Sequence, residues 1–233
     1  MKIVPLGIQC SVPEGIKRAG FREYSYPFDW LWCPSKTSYT ILHILIHEGI
    51  ESAIEYMTTG YSYYIDLGDS HFESSNSITD CKMNKVSGLG ITHFTIDEEY
   101  KNRLRRRFSR LMGDLKSNDF IVFMYADTVN HSEFNYHLDN VEYGEDGTEY
   151  LSKLYDLLYP IHSNMKITYF CWSQRKMEGH NIEYIPYDFK LTWGDTISEL
   201  IKEYILKLEP IHKKVSPKKI KRGLPRKMYI TFR

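Results

Sequence analysis

Cysteine is scarce in this chain, and the little there is follows no pattern. Cys10, Cys33, Cys81 and Cys171 stand far apart with no CxxC pair. Neither a disulfide framework nor a cysteine-built zinc site is therefore expected, and each thiol has to be judged alone. Long apolar runs are missing too: no stretch of about eighteen apolar residues occurs, which argues against a membrane span. The opening MKIVPLGIQC lacks the basic region, apolar stretch and small-residue cleavage site of a secretory signal. A cytoplasmic protein is the expectation. Acids are absent from one region, since residues 211–233 hold nine Lys or Arg and no Asp or Glu. The formal net charge of zero thus divides into an acidic body and a basic tail. Such a tail is either a solvated terminus folding back on the body or a contact for nucleic acid, an anionic surface or the nuclear import machinery.

What is present suits a globular fold. With 233 residues and 42% hydrophobic side chains the chain can bury a substantial core. We expect one α/β domain over 1–210 and a basic C-terminal tail over 211–233. KIVPLG reads as a short buried strand ended by Gly7. Ser11 with Glu14 forms a capping-box pattern, and Pro13 falls in the first turn, so a helix is predicted over 12–19 and closed by Gly20. Residues 21–34, rich in aromatics and broken by Pro27 and Pro34, suggest a packed irregular loop. A helical region follows from Ser35 and should split at Gly49. YSYYIDL and GITHFTI alternate as strands do, with an exposed polar loop, SHFESSNSITDCKMNK, between them. Tyr100, Leu104, Phe108, Leu111 and Leu115 recur at helical spacing, capped by a Thr95–Glu98 box or by Asp97 directly. NDFIVFMYAD has the continuous apolar character of a strand covered on both faces. From there the order is helix, strand, strand, helix. That alternation predicts a Rossmann-like three-layer α/β sandwich with a largely parallel sheet and a small β-hairpin insertion.

In open α/β sheets, polar groups converge beyond the carboxyl ends of the strands. Cys10 falls there, just before the first helix, where unpaired N–H groups and the positive end of the helix dipole favour a thiolate. A lone cysteine after a buried strand is also a common inert filler, so spacing leaves both roles open. His93 is either a satisfied strand histidine or a base. Asp29 either caps a turn, pairs with Arg22 or does chemistry, and Trp30 fills the core or serves a site. His43 and His47 have the one-turn spacing of a metal pair without a third ligand. The arginines of RLRRRF read as a solvated helix face, with a phosphate or nucleic-acid contact as the alternative.

The run LGIQCSVPEGIKRAGFREYSYPFDW, then THF, then YKNRLRRRFSRLMGDLKSNDFIVFMY resembles a family catalogued as putative papain-like cysteine peptidases, with bacterial and large-DNA-virus members. The resemblance spans about residues 3 to 127 and rests on Gly7, Cys10, Arg22, Ser25, Pro27, Phe28, Asp29 and Trp30. It implies a cysteine-dependent hydrolase acting on peptide or protein, with Cys10 as nucleophile, His93 as base and Asp29 as third member, and no cofactor. Asp127 and Asp188 are the alternative acids. The N–H groups of Ser11 and Val12, helped by Gln9, would hold the oxyanion. Many relatives carry His-Asp where this chain has His93-Phe94. Two other readings stand beside it. One is an inactive α/β protein binding a partner, glycan or nucleotide sugar through the crevice and the acidic 128–149 loop. The other is a Rossmann-like transferase or hydrolase whose Cys10 loop touches substrate.

Overall fold

The computed structural model describes residues 1–7, 11–66, 80–91, 95–126, 147–172, 181–187 and 195–208. Four strands, β1 (Lys2–Pro5), β6 (Ile121–Ala126), β7 (Met165–Trp172) and β8 (Ile182–Tyr187), form a sheet in the order β1-β6-β7-β8, with every neighbouring pair parallel. β6 explains why the sequence gives a continuous apolar run there. All six of its residues are buried. Ile121, Phe123 and Tyr125 enter one core, and Val122, Met124 and Ala126 enter the other, as the two-residue period of a strand requires.

Six described helices cover the two faces. On the outer face, α1 (Ser11–Arg18) and α6 (Asp195–Leu208) supply Val12, Ile16, Ile201 and Ile205. The inner face is covered by α2 (Ser35–His47), α3 (Ile50–Thr58), α4 (Glu98–Leu115) and α5 (Thr148–Leu158). This is the three-layer α/β sandwich that the alternation predicts. The split after α2 comes at Gly49, whose φ of +100° is open to glycine at no steric cost. α4 buries its expected stripe of five residues, and its cap is Asp97, which accepts a hydrogen bond from the Tyr100 N–H at 2.8 Å. Glu98 bonds Arg105 at 2.8 Å and does not reach back, so of the two caps allowed by sequence the direct one forms.

The insertion is larger than a hairpin. β3 (Tyr61–Asp66) and β4 (Asp80–Asn84) pair antiparallel, and β5 (Gly90–Ile91) and β2 (Leu31–Trp32) extend them into a four-stranded antiparallel sheet ordered β2-β5-β4-β3. Two expectations change accordingly. The end of the polar stretch 70–85 is a strand, and the aromatic segment 21–34 ends in one. Both errors have one cause: Leu31, Ile91 and Met83 are buried by cross-strand partners distant in sequence, which local composition does not register. Among the described residues no helix is long and apolar enough to cross a membrane. The 211–233 tail and the 128–146 part of the acidic loop lie outside the described residues.

Candidate functional site

The exit of β1 is built by close packing. The Leu6 N–H donates to Met124 O at 2.9 Å, which carries the pairing with β6 one residue beyond the strand. Gly7 then adopts φ +106°, and a Cβ there would lie 2.5 Å from Cys33 Cβ, so only glycine fits. Ser38 of α2 donates to Leu6 O, and its hydroxyl also meets Cys33 Sγ at 3.2 Å. The Ser35 N–H donates to the Tyr125 hydroxyl at 3.1 Å. The carboxyl ends of β1 and β6 and the start of α2 are thus tied together.

Topology gives this place a meaning. The helix after β1, α1, lies on the outer face, whereas the helix after β6, α5, lies on the inner face. Adjacent parallel strands whose connections leave in opposite directions open a crevice between them, the usual seat of ligands in such sheets. Ser11, the first residue of α1, is buried, and its carbonyl accepts from Ser198 Oγ at 3.1 Å, which anchors the helix start against α6. Glu14, in the first turn, turns along the helix to Lys17 at 3.1 Å and Arg18 at 3.4 Å. Those two cations offset the charge that would oppose the positive helix end.

Of the residues that the resemblance implies for the catalytic set and its oxyanion hole, Ser11, Val12 and Asp29 are described. Gln9, Cys10, His93, Asp127 and Asp188 lie outside the described residues. Asp29 is 1% exposed and pairs with Arg22 at 2.5 Å. Burial pushes its carboxyl above the ordinary carboxylate range, and Arg22 and then Arg107 pull it back, joined by the Tyr26 N–H and the Ser25 hydroxyl. Of the three roles open to Asp29, the pairing with Arg22 is therefore formed. Trp30 does not fill the core: it is half-buried with a left-handed φ of 66°, and its ring lies under the Arg22 guanidinium at 5.0 Å.

The other candidates are placed as follows. Cys33 and Cys171 are buried and neither is part of a disulfide. The His43 and His47 rings lie 4.3 Å apart, and among the described residues no group of three His, Cys, Asp or Glu converges. His162, which sequence did not single out, is a satisfied core histidine. One ring nitrogen faces Leu115 O at 3.2 Å, and the other faces Asp119 O and Asn164 O at 2.9 and 3.1 Å. What sequence missed is that Arg107 of α4 comes near enough to Asp29 for the two charges to act on each other. The spacing of four from Arg103 to Arg107 and three from Arg107 to Arg110 was the available signal.

Together these features define an α/β sandwich protein with a cysteine in the connection from its first strand to its first helix. The family described as "Putative papain-like cysteine peptidase" matches residues 1–141, and the chain belongs to it. No curated protein and no solved structure matches the chain.

Proposed function

We propose that this protein is a cysteine-dependent hydrolase of peptide bonds, with Cys10 as nucleophile, His93 as base and Asp29 as the acid of the set. The observation that carries the reading is positional. Cys10 immediately precedes the first residue of α1, in the connection that leaves β1 at the β1/β6 switch point. A thiol one residue before a helix faces the field of the helix N-terminus, which lowers its pKa and makes the thiolate available near neutrality. His93 takes the thiol proton. The thiolate sulfur then bonds the substrate carbonyl carbon, and the N–H groups of Ser11 and Val12, with the Gln9 side chain, hold the oxyanion. The imidazolium returns the proton to the leaving amine as the C–N bond breaks, and water releases the acyl group from the thioester.

Mapping of iodoacetamide modification across pH tests this. Cys10 should be modified below pH 7, with Cys33 and Cys171 protected by burial, and His93→Ala should move the Cys10 profile up toward an ordinary thiol. Peptidase activity on a denatured protein substrate should be lost in Cys10→Ala. Equal labelling of Cys10 and Cys81 with no preference below pH 7 overturns the activated thiol.

A further inference from the structure

The helical face that sequence reads as solvated is in part the wall of a pocket. Arg103, Arg106, Arg107 and Arg110 fall at spacings of three and four and so share one side of α4. Arg105 points elsewhere and pairs with Glu51 and Glu98, each at 2.8 Å. Facing the four arginines, across a cavity of about 770 Å³, are the last turn of α1 and the segment that leaves it, contributing Lys17 and Arg22. Six cations line this space, against one carboxylate, Glu23, which is engaged by Lys2 at 3.3 Å. The volume lies within the range of small-ligand sites.

We propose that this pocket binds a small ligand carrying two or more linked phosphate groups.

Three observations support it beyond charge. First, the guanidiniums are held in place: Arg110 donates to Ser25 O and lies over the Tyr24 ring at 4.7 Å, and Arg22 lies over Trp30. Fixed guanidiniums are suited to bidentate contact with phosphate oxygens. Second, the cations are crowded at a cost. Burial pushes Arg107 below its ordinary range; Asp29 and Tyr100 pull it back, and neighbouring Arg103 and Arg22 add a smaller push in the same direction as burial. An entering polyanion relieves that repulsion. Third, the loop stores strain at Trp30, an aromatic residue in the left-handed region, and such strain gathers at binding sites. A nucleic-acid strand fits less well, since it asks for ring faces free to stack along an extended groove. Here each of the two rings already carries an arginine.

Isothermal titration of the full chain with orthophosphate, pyrophosphate and tripolyphosphate reads this directly. Tripolyphosphate should bind one site, at least about tenfold tighter than orthophosphate, and weaken as salt rises. Arg106 is exposed, so Arg106→Gln tests the site without threatening the fold and should weaken binding about tenfold. Arg103→Gln should do the same with an unchanged melting curve, whereas Arg105→Gln should leave affinity as it was. Three results overturn the proposal. They are no saturable heat up to about 1 mM tripolyphosphate, an Arg105→Gln effect equal to that of Arg106→Gln, or displacement of tripolyphosphate by a single-stranded oligonucleotide of higher affinity. None of these bears on Cys10 labelling, so the phosphate site and the hydrolase stand or fall separately.

Discussion

Cys33 shows how much a thiol's surroundings decide. It is fully buried against Gly7, and burial pushes it up to about 12 from an ordinary 9.0, with the Ser38 hydroxyl pulling slightly the other way. A raised folded-state pKa means that the folded protein keeps a proton which the unfolded chain has lost. Stability linked to Cys33 is therefore complete below about pH 9 and falls as pH rises toward 12, by up to about 1.4 kcal/mol per pH unit. Chemical denaturation between pH 8 and about 10.5 should show this slope in the native sequence and a shallower one in Cys33→Ala. Parallel curves would show that the thiol is not what titrates. Asp29 calls for a different measurement, because its bond to Arg22 is compatible with an anchoring and with a catalytic role. Asp29→Asn keeps the shape and leaves Arg22 and Arg107 facing a neutral amide, so a loss of about 2–4 kcal/mol is expected. In the proposed catalytic set Asp29 would also stabilise the His93 imidazolium, and on that reading its removal should move the Cys10 labelling profile upward by about one pH unit. A melting point that drops while that profile stays fixed reduces Asp29 to an anchor of residues 21–30. Cys10 and Asp29 were legible as candidates because their residue types and order are distinctive. The grouping of Arg22 and Arg107 near Asp29 was not, because it forms only once α4 has docked.

At the scale of elements, two glycines inside helices separate propensity from packing. Gly15 of α1 faces α6, and a Cβ there would lie 2.7 Å from Ile201 Cβ and 2.9 Å from Ser198 O. Alanine is favoured over glycine in a helix interior by about 1 kcal/mol. Prying two packed helices apart costs about 1–3 kcal/mol, and the Ser198 carbonyl cannot swing aside as a side-chain tip would. Gly15→Ala should therefore lose up to about 2 kcal/mol net. Gly113 of α4 has nothing within 4 Å of where its Cβ would be, so Gly113→Ala should gain up to about 1 kcal/mol. Urea titration of both variants checks the pair, and the same sign in both would contradict the helix contact. Removing the α4 cap with Asp97→Ala should cost about 1 kcal/mol by the same assay. Helices with a full apolar stripe and a cap, α4 above all, were legible because their signal is local. β5 falls inside GITHFTI, where alternation marks a strand, whereas the two-residue β2 was not legible, because so short a segment carries no period and becomes a strand only through its partner.

For the whole molecule, the alternation of strands and helices sufficed to give the sandwich, since buried parallel strands and amphipathic helices leave few ways to cover both faces of a sheet. The strand order and the switch point were not legible, because β1 meets β6 across a register of Lys2 with Ile121 and nothing local encodes that pairing. The same long connection divides the molecule into unequal layers. The inner core draws on residues from Val4 to Ile182 and is closed by four helices. The outer core joins the opposite ends of the described chain, with Ile3, Val12 and Ile16 meeting Ile197, Ile201 and Ile205. α1 has eight residues, too few to persist in water without its partner. Loss of α6 docking should thus release α1 while β6, β7 and α4 remain in place. Native-state hydrogen exchange should find α1 and α6 opening together, at a free energy at least about 2 kcal/mol below that of β6 and α4. Ile201 is fully buried between the layers, so Ile201→Ala should lower protection in α1 and α6 by about 2–4 kcal/mol. Protection in β6 should change only if opening is global. One common exchange free energy for the six described helices and the sheet would mean that the outer layer is not a separate unit. In that case the thiol at the head of α1 sits on a part of the fold as stable as its core.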